Sequence, residues 1–156
     1  MSHIAPWRHF KRAQDGAAAA GGLIYAAAAV YAWRAMPGPP ASKLQLMLLV
    51  PAGFFAVVGA PALLIAPLRR LVLQYVWTSF VAGFGQSPGS FATSFALFAG
   101  AAGFVAWRLV ADAAGGCYPL GVLCGCAAGL GMLLAQAVLT RRLEREPEVR
   151  AVIEEG

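Results

Sequence analysis

Residues 44–68 read LQLMLLVPAGFFAVVGAPALLIAPL and run directly into Arg69-Arg70. As one straight helix this stretch would reach roughly 37 Å at 1.5 Å per residue, more than the ~30 Å hydrocarbon core of a bilayer. None of its side chains is charged, and the arginine pair stops it where a helix would leave the lipid. A charge at the bilayer centre costs ~2.5–3.5 kcal/mol on insertion scales, so charges mark the ends of crossings. The flanking sequence obeys the same rule. From Gly16 to Ala111 there is no carboxylate, and the bases within that range, Arg34, Lys43, Arg69, Arg70 and Arg108, fall at the edges of apolar blocks.

The composition agrees. The 156 residues are 60% hydrophobic and 12% charged, with a mean hydropathy of +0.67, which departs from a soluble domain of this size. The fold class read from this is all-α: a polytopic membrane protein with four transmembrane helices plus one interfacial helix, in a single domain. The spans fall at about 16–35, 45–67, 91–110 and 117–139, the interfacial helix at 70–84, and a polar tail at 141–156. The first span is the weakest, because its many alanines contribute little transfer energy and leave it dependent on packing partners. Tyr25, Tyr31 and Trp33 suit the interface or a helix contact. A Pro37-Gly38-Pro39-Pro40 turn ends it. Pro51 and Pro61 are expected to kink the second span, since each removes a backbone donor and clashes with the preceding turn. Leu71 to Gly85 would be only ~22 Å long as a helix, too short to cross, and is read as lying in the interface or as a buried re-entrant piece.

Charge decides the topology. With four spans, Arg8, Lys11, Arg12, Arg69, Arg70, Arg141, Arg142, Arg145 and Arg150 share one side, against Arg34, Lys43 and Arg108 on the other. A fifth crossing would split the basic residues evenly, so four spans are expected, with both termini facing the cytoplasm or, in a mitochondrion, the matrix. The net charge of +5 is assigned to anionic phospholipids rather than nucleic acid, because the basic residues form small clusters beside apolar blocks. Arg8, Lys11, Arg12, Arg69, Arg70, Arg141 and Arg142 are the headgroup candidates. Trp7 and Phe10 are expected to complete an aromatic and basic collar at that depth.

The clearest motif is Gly121-x3-Gly125-x3-Gly129 in the last span, which replaces side chains by hydrogens along one helix face. In lipid, helices associate through close packing at such small residues, so pairing within the chain is expected, with docking of a different subunit on the glycine face as the alternative. Ala92, Ala96 and Gly100 repeat the spacing in the third span, and Ala99 with Gly103 offers a second face; Ala96 and Gly100 are the chosen packing candidates. Cys117, Cys124 and Cys126 have no histidine near them and read as packing residues, with a redox or intermolecular role for Cys117 as the alternative. His3 and His9 find no second axial ligand in the spans apart from cysteine or methionine, so no haem, other cofactor, metal or catalytic residue is assigned. The string from Gly83 to Gly89 is similar to a glycine-rich stretch in phosphatidylglycerophosphatases, but the carboxylates that those enzymes require are missing here. The tail holds Glu144, Glu146, Glu148, Glu154 and Glu155; a solvated tail is expected, with a docking segment built on Val149, Val152 and Ile153 as the alternative.

The functional expectation is a non-catalytic accessory or structural subunit of a multi-protein complex in an energy-transducing membrane, of respiratory-chain or ATP-synthase type. Its partners would be other membrane subunits, and its location the mitochondrial or bacterial inner membrane. Four glycine-rich spans in so short a chain look like the layout of the mitochondrial inner-membrane translocase family, some of whose members are accessory subunits of respiratory complexes, though no specific motif is shared. The alternative is a small homo-oligomeric pore or transporter component, with Gln74, Thr78, Thr93, Ser94 and Gln136 as its polar lining.

Overall fold

The structure is a computed structural model and describes residues 4–82 and 88–155. The described residues are all-helical: α1 (Ile4–Ala35), α2 (Pro40–Phe54), a π-helical turn (Phe55–Gly59), α3 (Ala60–Leu64), α4 (Ala66–Ala82), α5 (Pro88–Ala113), α6 (Tyr118–Leu143) and α7 (Pro147–Glu155). Among the described residues four stretches are long and apolar enough to cross a membrane: Trp7–Ala35, Pro40–Val57, Phe95–Ala113 and Tyr118–Leu143.

Helix α6 is the hub, and α1, α2, α4 and α5 all pack on it. It is apolar around nearly its whole circumference, which suits a helix surrounded by others. Pro119, in its first turn, fixes a helical φ where no donor is needed. The α5–α6 connection is a tight hairpin. Gly115 takes φ 61°, and the Gly116 amide donates to the Ala111 carbonyl at 2.9 Å, a Schellman closure that needs glycine at the left-handed position. Gly38, at φ 118°, turns α1 into α2, where Pro40 occupies the first helical position.

Helices α1 and α6 run antiparallel. Lys11 meets Glu144 at one end, while Ala32 and Met36 pack with Leu123 at the other. Both chain ends therefore lie at the same end of the bundle. Along α1 the distance from Asp15 to Arg34 is roughly 28 Å and along α6 that from Tyr118 to Arg141 roughly 34 Å at 1.5 Å per residue, both close to a hydrocarbon core.

Three elements add to the sequence reading. Helix α1 extends beyond the expected span to Ile4, and its charged first turns are anchored by Glu144. The second span departs from a straight helix in the region of its two prolines, passing from α2 into a π-helical turn between Pro51 and Pro61 and bending at Ile65 before α4. A π turn re-registers the hydrogen bonds that closely spaced prolines interrupt. The tail is not merely solvated: α7 starts at Pro147 and lays Ile153 and Val149 against the Trp7 cluster.

Candidate helix-packing and lipid-facing sites

The α5–α6 seam is a close helix contact. A Cβ built on Gly125 would stand 2.7 Å from the Gly103 carbonyl oxygen, and one on Gly103 would stand 2.8 Å from the Gly125 oxygen. The two backbones thus touch reciprocally. A Cβ on Gly129 would meet the Ala99 oxygen at 3.0 Å, and one on Gly121 would meet Trp107 Cδ1 at 2.7 Å. The glycine run therefore lies along one continuous contact with Ala99, Gly103 and Trp107. Ala96 and Gly100 do not share it. Gly100 has nothing within 4 Å of a built Cβ, because it is rotated about 100° from Ala99 on the helix. The pattern offered two small-residue faces on α5, and the face carrying the second glycine of close approach, Gly103, is the one that meets α6. Ala92 lies outside the described side chains.

On α1, Gly21 accommodates Leu133, whose Cδ1 would lie 2.9 Å from a Cβ there. Beside this contact α1, α5 and α6 enclose an open groove of about 970 Å³. Ala13, Ala17 and Ala20 form one wall and Ala96 and Gly100 the other, with Cys126 and Leu130 at the back, while His9 and Arg12 stand at one end.

A second arrangement repairs a proline defect. Pro51 has no N–H, so the Met47 carbonyl, four residues earlier, loses its helical donor. The Tyr25 hydroxyl donates to that carbonyl at 2.7 Å. This hydrogen bond tethers α2 to α1 within two stretches long and apolar enough to cross a membrane, and in lipid an unpaired carbonyl is costly.

At the shared end, Trp7 and Phe10 are 3% and 0% exposed, so they do not form a collar facing lipid headgroups. They join Phe80 of α4 and Phe91 and Phe95 of α5 in an aromatic knot, with Phe10 at 5.2 Å from Phe91 and 5.3 Å from Phe95 between ring centroids. Edge-to-face pairs of this kind add about 0.5–1.5 kcal/mol each beyond buried area. The sequence missed the knot because an aromatic flanked by Arg8, Lys11 and Arg12 looks interfacial. The polar rim of the knot is Glu144, which accepts from Trp7 Nε1 at 2.8 Å and from Lys11 Nζ at 2.7 Å. Burial pushes the Glu144 carboxyl up, but the hydrogen bonds from Lys11 and Trp7 and the charges of Lys11 and Arg141 together hold it below its ordinary value.

Of the headgroup candidates, Lys11 is half-buried on Glu144, and Arg141 lies 3.5 Å from Asp15. Arg8, Arg12, Arg70 and Arg142 are exposed and Arg69 is half-buried. The polar residues expected to line a pore sit on three helices. Gln74 and Thr78 are exposed on α4, Thr93 is exposed on α5, and Gln136 is buried in α6; the Ser94 side chain lies outside those described. Gln14 Nε2 and Gln136 Oε1 are buried without a hydrogen-bond partner. The three cysteines are free, with Cys124 buried, and the described residues contain no group of three potential metal ligands. His3 and the glycine-rich string from Gly83 to Ser87 lie outside the described residues.

No family model, curated protein or solved structure matches the chain.

Proposed function

We propose that the chain is a non-catalytic subunit that stabilises a larger assembly in an energy-transducing membrane, acting through helix packing and lipid contacts. The observation that carries this reading is α2. It is long and apolar enough to cross a membrane, yet none of its residues is buried within its own chain. Leu48 and Leu49 are 64% and 66% exposed, and the limb continues into a π-helical turn and a second proline. Backbone interruptions in membrane helices are tolerated where neighbouring helices re-satisfy and pack around them. Tyr25 does this once, at Met47. A neighbouring subunit seated on the outer face of α2 would supply the packing that the rest of the limb lacks. The rigid α5–α6 seam and the knot at the chain ends would then serve as the scaffold presenting that limb. Respiratory-chain and ATP-synthase assemblies are the proposed class, with the shared end of the bundle, rich in arginine, facing the matrix or cytoplasm.

Extraction from native membranes in a mild detergent tests this reading. The chain should migrate in a particle several times its own mass that contains other membrane proteins in fixed ratio. A homogeneous particle of this chain alone, with ion or solute flux in liposomes, would replace it by the pore or transporter reading.

A further inference from the structure

The groove between α1, α5 and α6 cannot stay empty in a bilayer. At hydrocarbon depth it is walled mostly by alanine and glycine, with Ile24, Cys126, Leu130 and Leu133, and an ordered water needs two to four polar partners that such walls do not offer. An unfilled hollow forfeits the dispersion contacts of its lining. Apolar matter must therefore occupy it.

We infer that the groove binds an anionic phospholipid, with one acyl chain lying along the small-residue walls and the phosphate against Arg12 and His9. Three features select this occupant. The first is charge: Arg12 and His9 line the same end of the groove, both exposed and with no ion-pair partner among the described residues. They stand at the end of the bundle where the chain termini and most of its arginines gather. The second is length. From Arg12 to Ile24 the groove follows α1 for roughly 18 Å, against about 15 Å for one leaflet of a ~30 Å core. A chain anchored by its phosphate at Arg12 thus reaches the bilayer middle inside the groove. The third is shape. The contacts of Phe10 with Phe91 and Phe95 join α1 to α5 at the cationic end, leaving little depth there for a helix about 10–12 Å across. The site needs only that the chain sits in a bilayer, and it stands whether or not partner subunits exist.

Purified, delipidated protein in mild detergent is titrated with phosphatidylglycerol or phosphatidylcholine of identical chains, and bound lipid is counted by native mass spectrometry. The wild type should retain one phosphatidylglycerol and prefer it over phosphatidylcholine. Arg12→Gln should keep the chain-dependent binding but lower that preference about fivefold, the effect of one basic residue at an anionic surface. A Cβ built on Gly100 meets nothing within 4 Å, so Gly100→Leu should project into the groove and abolish retention while leaving the α5–α6 seam intact. Ala20→Leu, from the opposite wall, should do the same and guards against a folding defect in the first variant. Wild-type retention in both leucine variants overturns the site, as does a preference unchanged in Arg12→Gln. If the leucine variants instead release a partner protein from the native particle and keep their lipid, the groove is a protein interface and the lipid assignment is wrong.

Discussion

Replacing Gly125 by alanine sets two effects against each other. Alanine in a helix interior is favoured over glycine by about 0.5–1 kcal/mol. Against this, the new methyl carbon would stand 2.7 Å from the Gly103 carbonyl oxygen and 3.0 Å from Trp107 Cβ. The first of these neighbours is backbone, so relief requires α5 and α6 to move apart along the seam. Overpacking of this kind costs typically about 1–3 kcal/mol. The matched control is Gly131→Ala in the same helix, where a built Cβ meets nothing within 4 Å. It keeps the helix-propensity gain and omits the overlap, so the difference between the variants isolates the seam at about 1–3 kcal/mol. For a chain of this size that corresponds to roughly 2–12 °C in unfolding temperature. Thermal unfolding of both proteins in one detergent, followed by circular dichroism, reads the difference directly. Gly125→Ala should melt below the wild type or near it, and Gly131→Ala at or above it. Equal melting temperatures would refute the reciprocal glycine contact. Ala127, pointing away from Gly125, is not a suitable control, because it is itself buried.

Three other outcomes follow from the same contacts. Because the Glu144 carboxyl titrates below its ordinary 4.5 in the folded protein, its contribution is fully present above that value and is lost as pH falls through the lowered one; in a variant keeping only Trp7 among the tryptophans, emission should shift to the red on acidification, and Glu144→Gln should show the shifted emission already at pH 7 with no such step. Tyr25→Phe should destabilise the chain by about 1–2 kcal/mol by orphaning the Met47 carbonyl, and Pro51→Ala, which restores a donor to that carbonyl, should remove most of this cost; additive effects in the double-mutant cycle would contradict the repair. Single cysteines introduced at positions 5 and 150 of a chain lacking its native cysteines should be labelled from the same side of sealed vesicles, and labelling from opposite sides would exclude the four-span topology.

The helical class was legible because charge is so expensive in lipid: Arg34, Lys43, Arg69, Arg70 and Arg108 bound the apolar blocks, and only the 71–107 block needed its internal Ser87-Pro88-Gly89 break to be divided. The glycine run was legible for a similar reason, since three hydrogens in register leave little to do but pack. What the sequence concealed were the pairings between distant elements. Trp7 sits among basic residues and reads as interfacial until α4 and α5 are folded over it. Glu144 and Lys11 are 133 residues apart, and periodicity within a helix carries no trace of their contact. The choice between the two small faces of α5 was similarly open, because rotation about the helix axis is set by the partner, not by spacing. One concealed contact did have a local signal. Pro51 announces an orphaned carbonyl at Met47, and the half-buried Tyr25 one helix away is a natural donor.

The central claim is that the outer face of α2 is covered by a different protein. A photo-crosslinking residue at Leu49, activated in native membranes, measures this most directly, with Val138 on the exposed side of α6 as the comparison. Position 49 should give one discrete product whose excess mass is that of another membrane protein present in the extracted particle. A product of twice the chain's own mass, or only diffuse lipid adducts from position 49, would contradict it.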